Sequence, residues 1–283
     1  MALQLMGNWG QTATIDDIRQ LDDPEPMGSR HVPVRHDYSW EIIQDLFNYR
    51  GFELTNPVPR LSENTKRMLL SFDIKAKGST TLAFDANGIK MNGFIINYQD
   101  QTGRFTFCWG EETAACTNQQ IVGEHKVQHK NTANLVNNLR LMLWDQVTED
   151  AMAESFDKLT YRNDDMRGIM IDPQQASHYI IEAGKRGIIT WRDVPKVVEY
   201  WEKPDHKEFE PRNLYSLSNS FTGFFQEMNP FNVSSRSLKL VDMMDEIRTD
   251  IRRENEYHDS NMSQQELEDS YDVNREIRGY EDN

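Results

Sequence analysis

Hydrophobic residues recur along this chain in two rhythms, one after the other. In the first half they alternate with polar positions. Met68, Leu70, Phe72 and Ile74 are interleaved with Leu69, Ser71, Asp73 and Lys75, the period-two pattern of a half-buried strand. A short strand over 52–55 precedes them, Leu82 and Phe84 begin another, and Asn87-Gly88 is a tight-turn signal before Ile89 and Met91. Residues 94–98 and 104–109 flank Asp100-Gln101-Thr102-Gly103 as the arms of a hairpin. The pattern predicts an antiparallel sheet of about five strands.

From Thr132 onward the rhythm becomes helical. Leu135, Leu139, Met142, Leu143 and Val147 share one helix face, and Met152, Phe156 and Leu159 continue on a second helix. Asp172-Pro173 pairs an N-cap with proline at the first helical position. Thr190 to Asp193 resembles a capping box before Val197, Val198 and Trp201. Leu217, Phe221, Phe224 and Phe225 mark a further helix. Leu240, Met243, Met244, Ile247 and Ile251 mark the last one. Earlier in the chain, Ile42, Ile43, Leu46 and Phe47 predict a helix that Asp37 or Ser39 caps and Gly51 ends. Strands first and helices afterwards define an α+β chain: an N-terminal sheet, then a mostly helical C-terminal half.

Charge divides the chain further. Net charge is −15 over 283 residues, but the ends carry most of it. Residues 254–283 hold ten acidic and two basic side chains, residues 1–30 hold five and two, and the body between them holds 31 acidic against 27 basic. The expected organisation is a flexible acidic arm (1–30), a single α+β domain (31–253; β-rich 52–131, helical 132–253) and a disordered acidic tail (254–283). No apolar run is long enough for a membrane span, so no membrane partner is expected. Cys108 and Cys116 are too few for a disulfide framework, which suits a cytoplasmic protein.

Several chemistries find no motif. There is no glycine-rich phosphate loop and no Gly-x-Ser-x-Gly elbow. His125 and His129, beside Glu124, would share a face on a helix. The two cysteines, however, are eight residues apart and lack the close pair of a zinc site. No metal and no cofactor is expected. His31 and His36 bracket Val32-Pro-Val-Arg35 and need a partner brought by the fold before they could do acid–base work. Glu111, Glu112 and Glu124 suit solvated loops.

Nucleic-acid binding needs cations for phosphates and aromatic faces for bases. Two sets qualify. Arg104 stands with Phe105 and Phe107, followed by Lys126 and Lys130. Lys185, Arg186, Arg192 and Lys196 surround Trp191 with little intervening acid. A polar cluster of Asn97, Asp100, Cys116, Asn118, Glu124, Lys130 and Thr132 is the alternative, an enzyme of unrecognised type, provided these side chains converge on one cleft. A third reading is a protein-interaction module using the face of residues 214–228.

Ordered motifs also carry a resemblance. His31-Val-Pro-Val-Arg-His36 is similar to a His-Ile-Pro-Val-x-His opening. Asn97 and Asp100 are similar to part of an Arg-Asn-Ser-His-Asp stretch. Cys116-Thr-Asn118, Gly123-Glu124, and Lys130 with Thr132 are similar to Cys-Asp-Asn, Gly-Glu and Lys-His-Thr elements. Trp201, Pro204, His206 and Phe209 follow in order, then Tyr215-Ser-Leu-Ser-Asn-Ser-Phe-Thr222 against Trp-Ser-Leu-x-Asn-Ala-Phe-Thr. In these elements the chain resembles the phage and plasmid family known as domain of unknown function 932, over residues 31 to about 247. Gln99 and Asn131 stand where that family has histidine, which puts a mechanism needing those histidines in doubt here. The resemblance implies a setting, a phage or mobile element in a bacterial host, and no particular reaction. The function expected on these grounds is non-catalytic binding of single-stranded nucleic acid in phage DNA metabolism, with the acidic tail tuning access. The alternative partner is a host or phage protein.

Overall fold

A computed structural model describes residues 11–78, 85–86, 89–113 and 119–279, with side-chain surroundings over 12–78, 90–109, 127–229, 231–233 and 235–257. Cys116, Asn118, Leu82, Phe84 and the Asn87-Gly88 turn lie outside the described residues, as do the side chains of Glu124, His125 and Lys126.

The period-two pattern forms one antiparallel sheet. Its strands are β1 (Gln11–Thr12), β2 (Phe52–Leu61), β3 (Arg67–Ala76), β4 (Asp85–Ala86), β5 (Ile89–Tyr98), β6 (Phe105–Thr113) and β7 (Gln119–His129). The order β1-β2-β3-β5-β6-β7 is a meander, with β4 paired only to β5. Four of the five long strands, β2, β3, β5 and β6, are those the alternation called for, and β7 is one it did not. Residues 89–98 make one strand rather than two. His125 and His129 lie on β7, not on a helix, so their four-residue spacing puts them on one face of a strand. β2 carries Pro57 and Pro59, which have no N–H to donate. It tolerates them because its outer neighbour is only the two-residue β1, and a register shift between Thr55 and Val58 takes up the irregularity.

One face of the sheet is dry. Met68, Leu70, Phe72 and Ile74 of β3, Met91 and Ile95 of β5, and Phe105 and Phe107 of β6 pack against two helices. Helix α2 (His36–Tyr49) contributes Trp40, Ile43, Leu46 and Phe47. Helix α3 (Ala133–Trp144) contributes Leu135, Leu139 and Leu143. Gly93, opposite Phe72, leaves room for that ring: a Cβ there would come within 2.2 Å of it.

The other face was expected to meet solvent. Instead the start of the last helix, α8 (Pro230–Gly279), covers it. Phe231 joins Leu69 and Ile96, and Leu238 joins Phe94 and Cys108. Apolar residues at these nominally polar positions are what make the second face coverable.

The N-terminal arm also needs correction. It is not mobile up to Arg30. Thr14 caps the short helix α1 (Ile15–Arg19) in a reciprocal box with Asp17, and Ile18 is buried in the core with Ile15 and Leu21 packed beside it. Ala13 N–H donates to the Pro59 carbonyl at 3.0 Å. Three apolar residues at spacing three suffice to dock a segment whose composition is otherwise acidic.

The helical half comprises α4 (Glu149–Gly168), α5 (Pro173–Lys185), α6 (Val194–Glu202), a short 3-10 turn (Lys207–Phe209) and α7 (Leu214–Phe225). Asp172 and Gln175 form the capping box that opens α5. All twelve residues of α7 are buried. The expectation that its aromatic face meets a partner protein therefore fails: the face is already covered within the chain. Helical backbone continues past Arg253 to Gly279, so the end of the apolar pattern is not the end of α8. Two compact units divide the chain, Met1–Val241 and Asp242–Asn283, and the division falls inside α8.

Candidate functional site

Three of the quoted motifs meet at one end of the sheet. The segment leading into α2 supplies His31, Val34 and His36. The end of β5 supplies Asn97, Tyr98, Gln99 and Asp100. The β7–α3 junction supplies Asn131. Asn97 organises them. Its amide Nδ2 donates to the Val34 carbonyl at 2.7 Å and lies 3.1 Å from His36 Nδ1, while its Oδ1 accepts from Asn131 Nδ2 at 3.3 Å. Gln99 Nε2 donates to the same Val34 carbonyl at 3.0 Å, and Asn131 Nδ2 also donates to the Tyr98 carbonyl at 2.5 Å. The backbone follows suit: Val32 N–H donates to the Asn131 carbonyl at 3.3 Å.

These bonds fix the protonation of both histidines. His36 Nε2–H donates to the Thr65 carbonyl at 2.9 Å, which leaves Nδ1 to accept from Asn97. A second proton on Nδ1 would face the Asn97 amide hydrogens. Burial is the main reason that the ring's pKa falls to about 4, and the neighbouring Arg35 adds to it; the Thr65 carbonyl and Asp37 pull the other way. His31 Nδ1 accepts from the Met27 N–H at 3.0 Å, and burial lowers its pKa against an opposing pull from Asp100. Asp100 itself is a turn residue. Burial alone would raise its carboxyl, but hydrogen bonds from Thr102 and Arg67, the latter at 2.6 Å, hold it below the usual carboxylate range.

The described members of the cluster expected to form an enzymatic cleft do something else. Asn97 is fully buried, Asp100 closes the β5–β6 hairpin, and Thr132 is the N-cap of α3 without a side-chain bond. Lys130 is exposed. Gln99 and Asn131 are working members of the buried network. Among the described residues no three His, Cys, Asp or Glu side chains gather to hold a metal.

The cationic candidates separate into two places. Arg104 and Lys130 are exposed at this end of the sheet, but Phe105 and Phe107 point into the dry core and offer no face to a base. The second set is different. The turn from α5 to α6 holds Lys185, Arg186 and Arg192 exposed around Trp191, whose side chain is 61% exposed. The benzo edge of the indole packs on Gly184, where a Cβ would come within 2.9 Å of it, so the ring is seated rather than loose. Two cations join from far along the chain. Lys239 Nζ donates to the Arg186 carbonyl at 3.2 Å, and Arg236 Nη1 donates to the Ile188 carbonyl at 3.3 Å. Nothing local in the sequence around Trp191 announces Arg236 and Lys239; they arrive because α8 packs across the end of α5. The carboxylates in reach are Glu182, bonded by Lys185 and Arg186 at 3.2 Å each, and Asp193, 3.9 Å from Arg236. Lys196 is tied to Glu227 instead.

Comparisons with protein-family models, with curated proteins and with solved structures return no match to this chain.

Proposed function

We propose that this chain is a non-catalytic nucleic-acid-binding protein, taking single strands at the surface around Trp191, in the phage or mobile-element setting that its motifs suggest. The observation that supports this best is the exposed indole seated on Gly184, with Lys185, Arg186 and Arg192 exposed nearby in sequence and Lys239 bonded to the Arg186 carbonyl. Every base has a π-face, so one available indole gives affinity without sequence choice, and the surrounding cations take the phosphates. The carboxylate of Glu182 is half-buried, and its partners Lys185 and Arg186 stand at the surface. Ion pairs of that kind are weak and yield readily to a more highly charged phosphate backbone.

The acidic residues of 254–283 fit the same reading as an internal competitor. The test is fluorescence anisotropy of a labelled single strand at low salt, with the full chain and with residues 254–283 removed. Binding that strengthens on removal of the tail and collapses in Trp191→Ala is the expected result. Absence of binding in both forms would end the proposal.

A further inference from the structure

A second aromatic and cationic surface lies where α2 and α3 end side by side. Tyr49 is the last residue of α2 and Trp144 the last of α3. Their rings sit 5.3 Å apart, tilted by 37°. Arg50 lays its guanidinium over Trp144, 4.1 Å from the ring centroid, and is anchored by Nη2 donating to the Trp144 carbonyl at 2.9 Å. Arg140, one turn back on α3, stands 6.0 Å from both ring centroids. Tyr49 is 66% exposed, and Leu141 on α3 is 70% exposed.

Among the described residues neither Arg50 nor Arg140 forms an ion pair, although both basic and acidic side chains elsewhere on the chain pair freely. Asp45 lies one turn before Tyr49, and Asp145 follows Trp144; neither bonds to a guanidinium. Lys77 adds a third cation on the adjoining turn, tied through its N–H to the Gly51 carbonyl at 2.7 Å. Both helices end at this point, so their carbonyl ends account for part of what the arginines neutralise. That role does not require an exposed tyrosine ring held against a tryptophan.

We infer that the Tyr49–Trp144 surface is a binding site for a stacked nucleobase and its phosphate, separate from the Trp191 surface. The exposed ring of Tyr49 takes the base. Arg140, free to swing, takes the phosphate, while Arg50 stays on Trp144 and holds the platform flat. The chemistry called for is a planar heterocycle joined to an anion, which an acidic peptide lacks. The assignment requires nothing of the Trp191 turn, so each can fail without the other.

The experiment is photo-crosslinking of the full chain to a short oligonucleotide carrying 5-iodouracil, with the adduct mapped by mass spectrometry. An adduct on the peptide containing Tyr49 is expected. It should persist in the Trp191→Ala, Arg192→Ala double variant and in Tyr49→Phe. Tyr49→Ala and Arg140→Ala should each weaken oligonucleotide binding at this site at least about five-fold in the double-variant background, as expected when one stacked base or one neutralised phosphate is removed. Both side chains are exposed, so the fold survives their removal. Adducts confined to the Trp191 region, or equal binding by Tyr49→Ala and the parent chain, would overturn the assignment. Adducts nowhere would overturn both surfaces.

Discussion

The end of the sheet and the α5–α6 turn draw on similar residues and use them in opposite ways. At the end of the sheet, histidines and amides face inward. His36, Asn97 and Asn131 satisfy one another and the backbone of the entry segment, and none has more than a few per cent of its surface exposed. At the turn, the cations face outward around a ring that water reaches. The first arrangement spends its polar groups on holding Val34 and the start of α2 against β5. The second keeps Lys185, Arg186 and Arg192 at the surface, Lys185 and Arg186 in ion pairs with Glu182. The difference teaches that polar residues can meet a ligand only where they stay at the surface and their partners can be exchanged, and here that is the turn.

The sharpest way to break this contrast is at Asn97. Asn97→Leu fills the same space but leaves His36 Nδ1 without its donor, while the Val34 carbonyl keeps only Gln99 and Asn131 Nδ2 keeps only the Tyr98 carbonyl. A buried polar group stranded in this way costs about 1–3 kcal/mol, so a loss on the order of 2 kcal/mol is expected in urea denaturation. Strand binding by the variant that remains folded should be unchanged. A variant of full stability that no longer binds would put the functional site at the end of the sheet after all.

Acid is the second lever. His36 carries its ordinary pKa near 6.5 when unfolded and about 4 when folded, so the unfolded chain takes up the proton first as pH falls. The contribution of neutral His36 is complete above pH 6.5 and is lost progressively down to pH 4. The difference of about two and a half pH units corresponds to roughly 3 kcal/mol. Denaturation midpoints measured at about pH 7 and about pH 4.5 should diverge in the parent chain, and the divergence should shrink in His36→Asn. Equal pH dependence in the two would mean that other groups drive the acid response.

Much of this was legible in the residues, and the gaps have physical causes. The antiparallel sheet could be read because strand alternation and the Asp100–Gly103 turn are local. The docking of α1 could not, because a composition average hides the single ridge of Ile15, Ile18 and Leu21. β7 was hidden for a similar reason: the period of two that places His125 and His129 on one strand face also fits a spacing of four on a helix. His31, His36 and Asn97 stand in motifs that the fold does bring together, but burial, which turns them from a site into a clamp, is a property of the whole fold. Lys185, Arg186 and Arg192 were visible as a local run. Arg236 and Lys239 were not, because only the packing of α8 brings them there.

A smaller effect separates the turn from the body. Lys185→Ala combined with Arg192→Ala removes two exposed cations and should move stability by no more than about 0.5 kcal/mol. Binding should become less sensitive to salt. Each phosphate that is no longer neutralised lowers the slope of log affinity against log salt by about 0.7 for a single strand. A decrease of roughly 1.4 is therefore expected from titrations between about 50 and 200 mM salt. An unchanged slope would show that these cations do not touch phosphate.

The finest test leaves every cation in place. Gly184→Ala inserts a methyl group where the benzo edge of Trp191 now rests, 2.9 Å from the new carbon, and the indole has to lift away. Alanine is the better residue inside a helix by about 1 kcal/mol, which offsets the packing that the indole gives up, so global stability should stay within about that margin. If the seated indole is what stacks on a base, affinity should fall a few-fold while the salt slope holds constant, because the phosphate partners are untouched. The two readouts then separate the ring from the charges around it. A fall in slope without a fall in affinity at low salt would assign the binding to the cations alone and leave Trp191 as their scaffold.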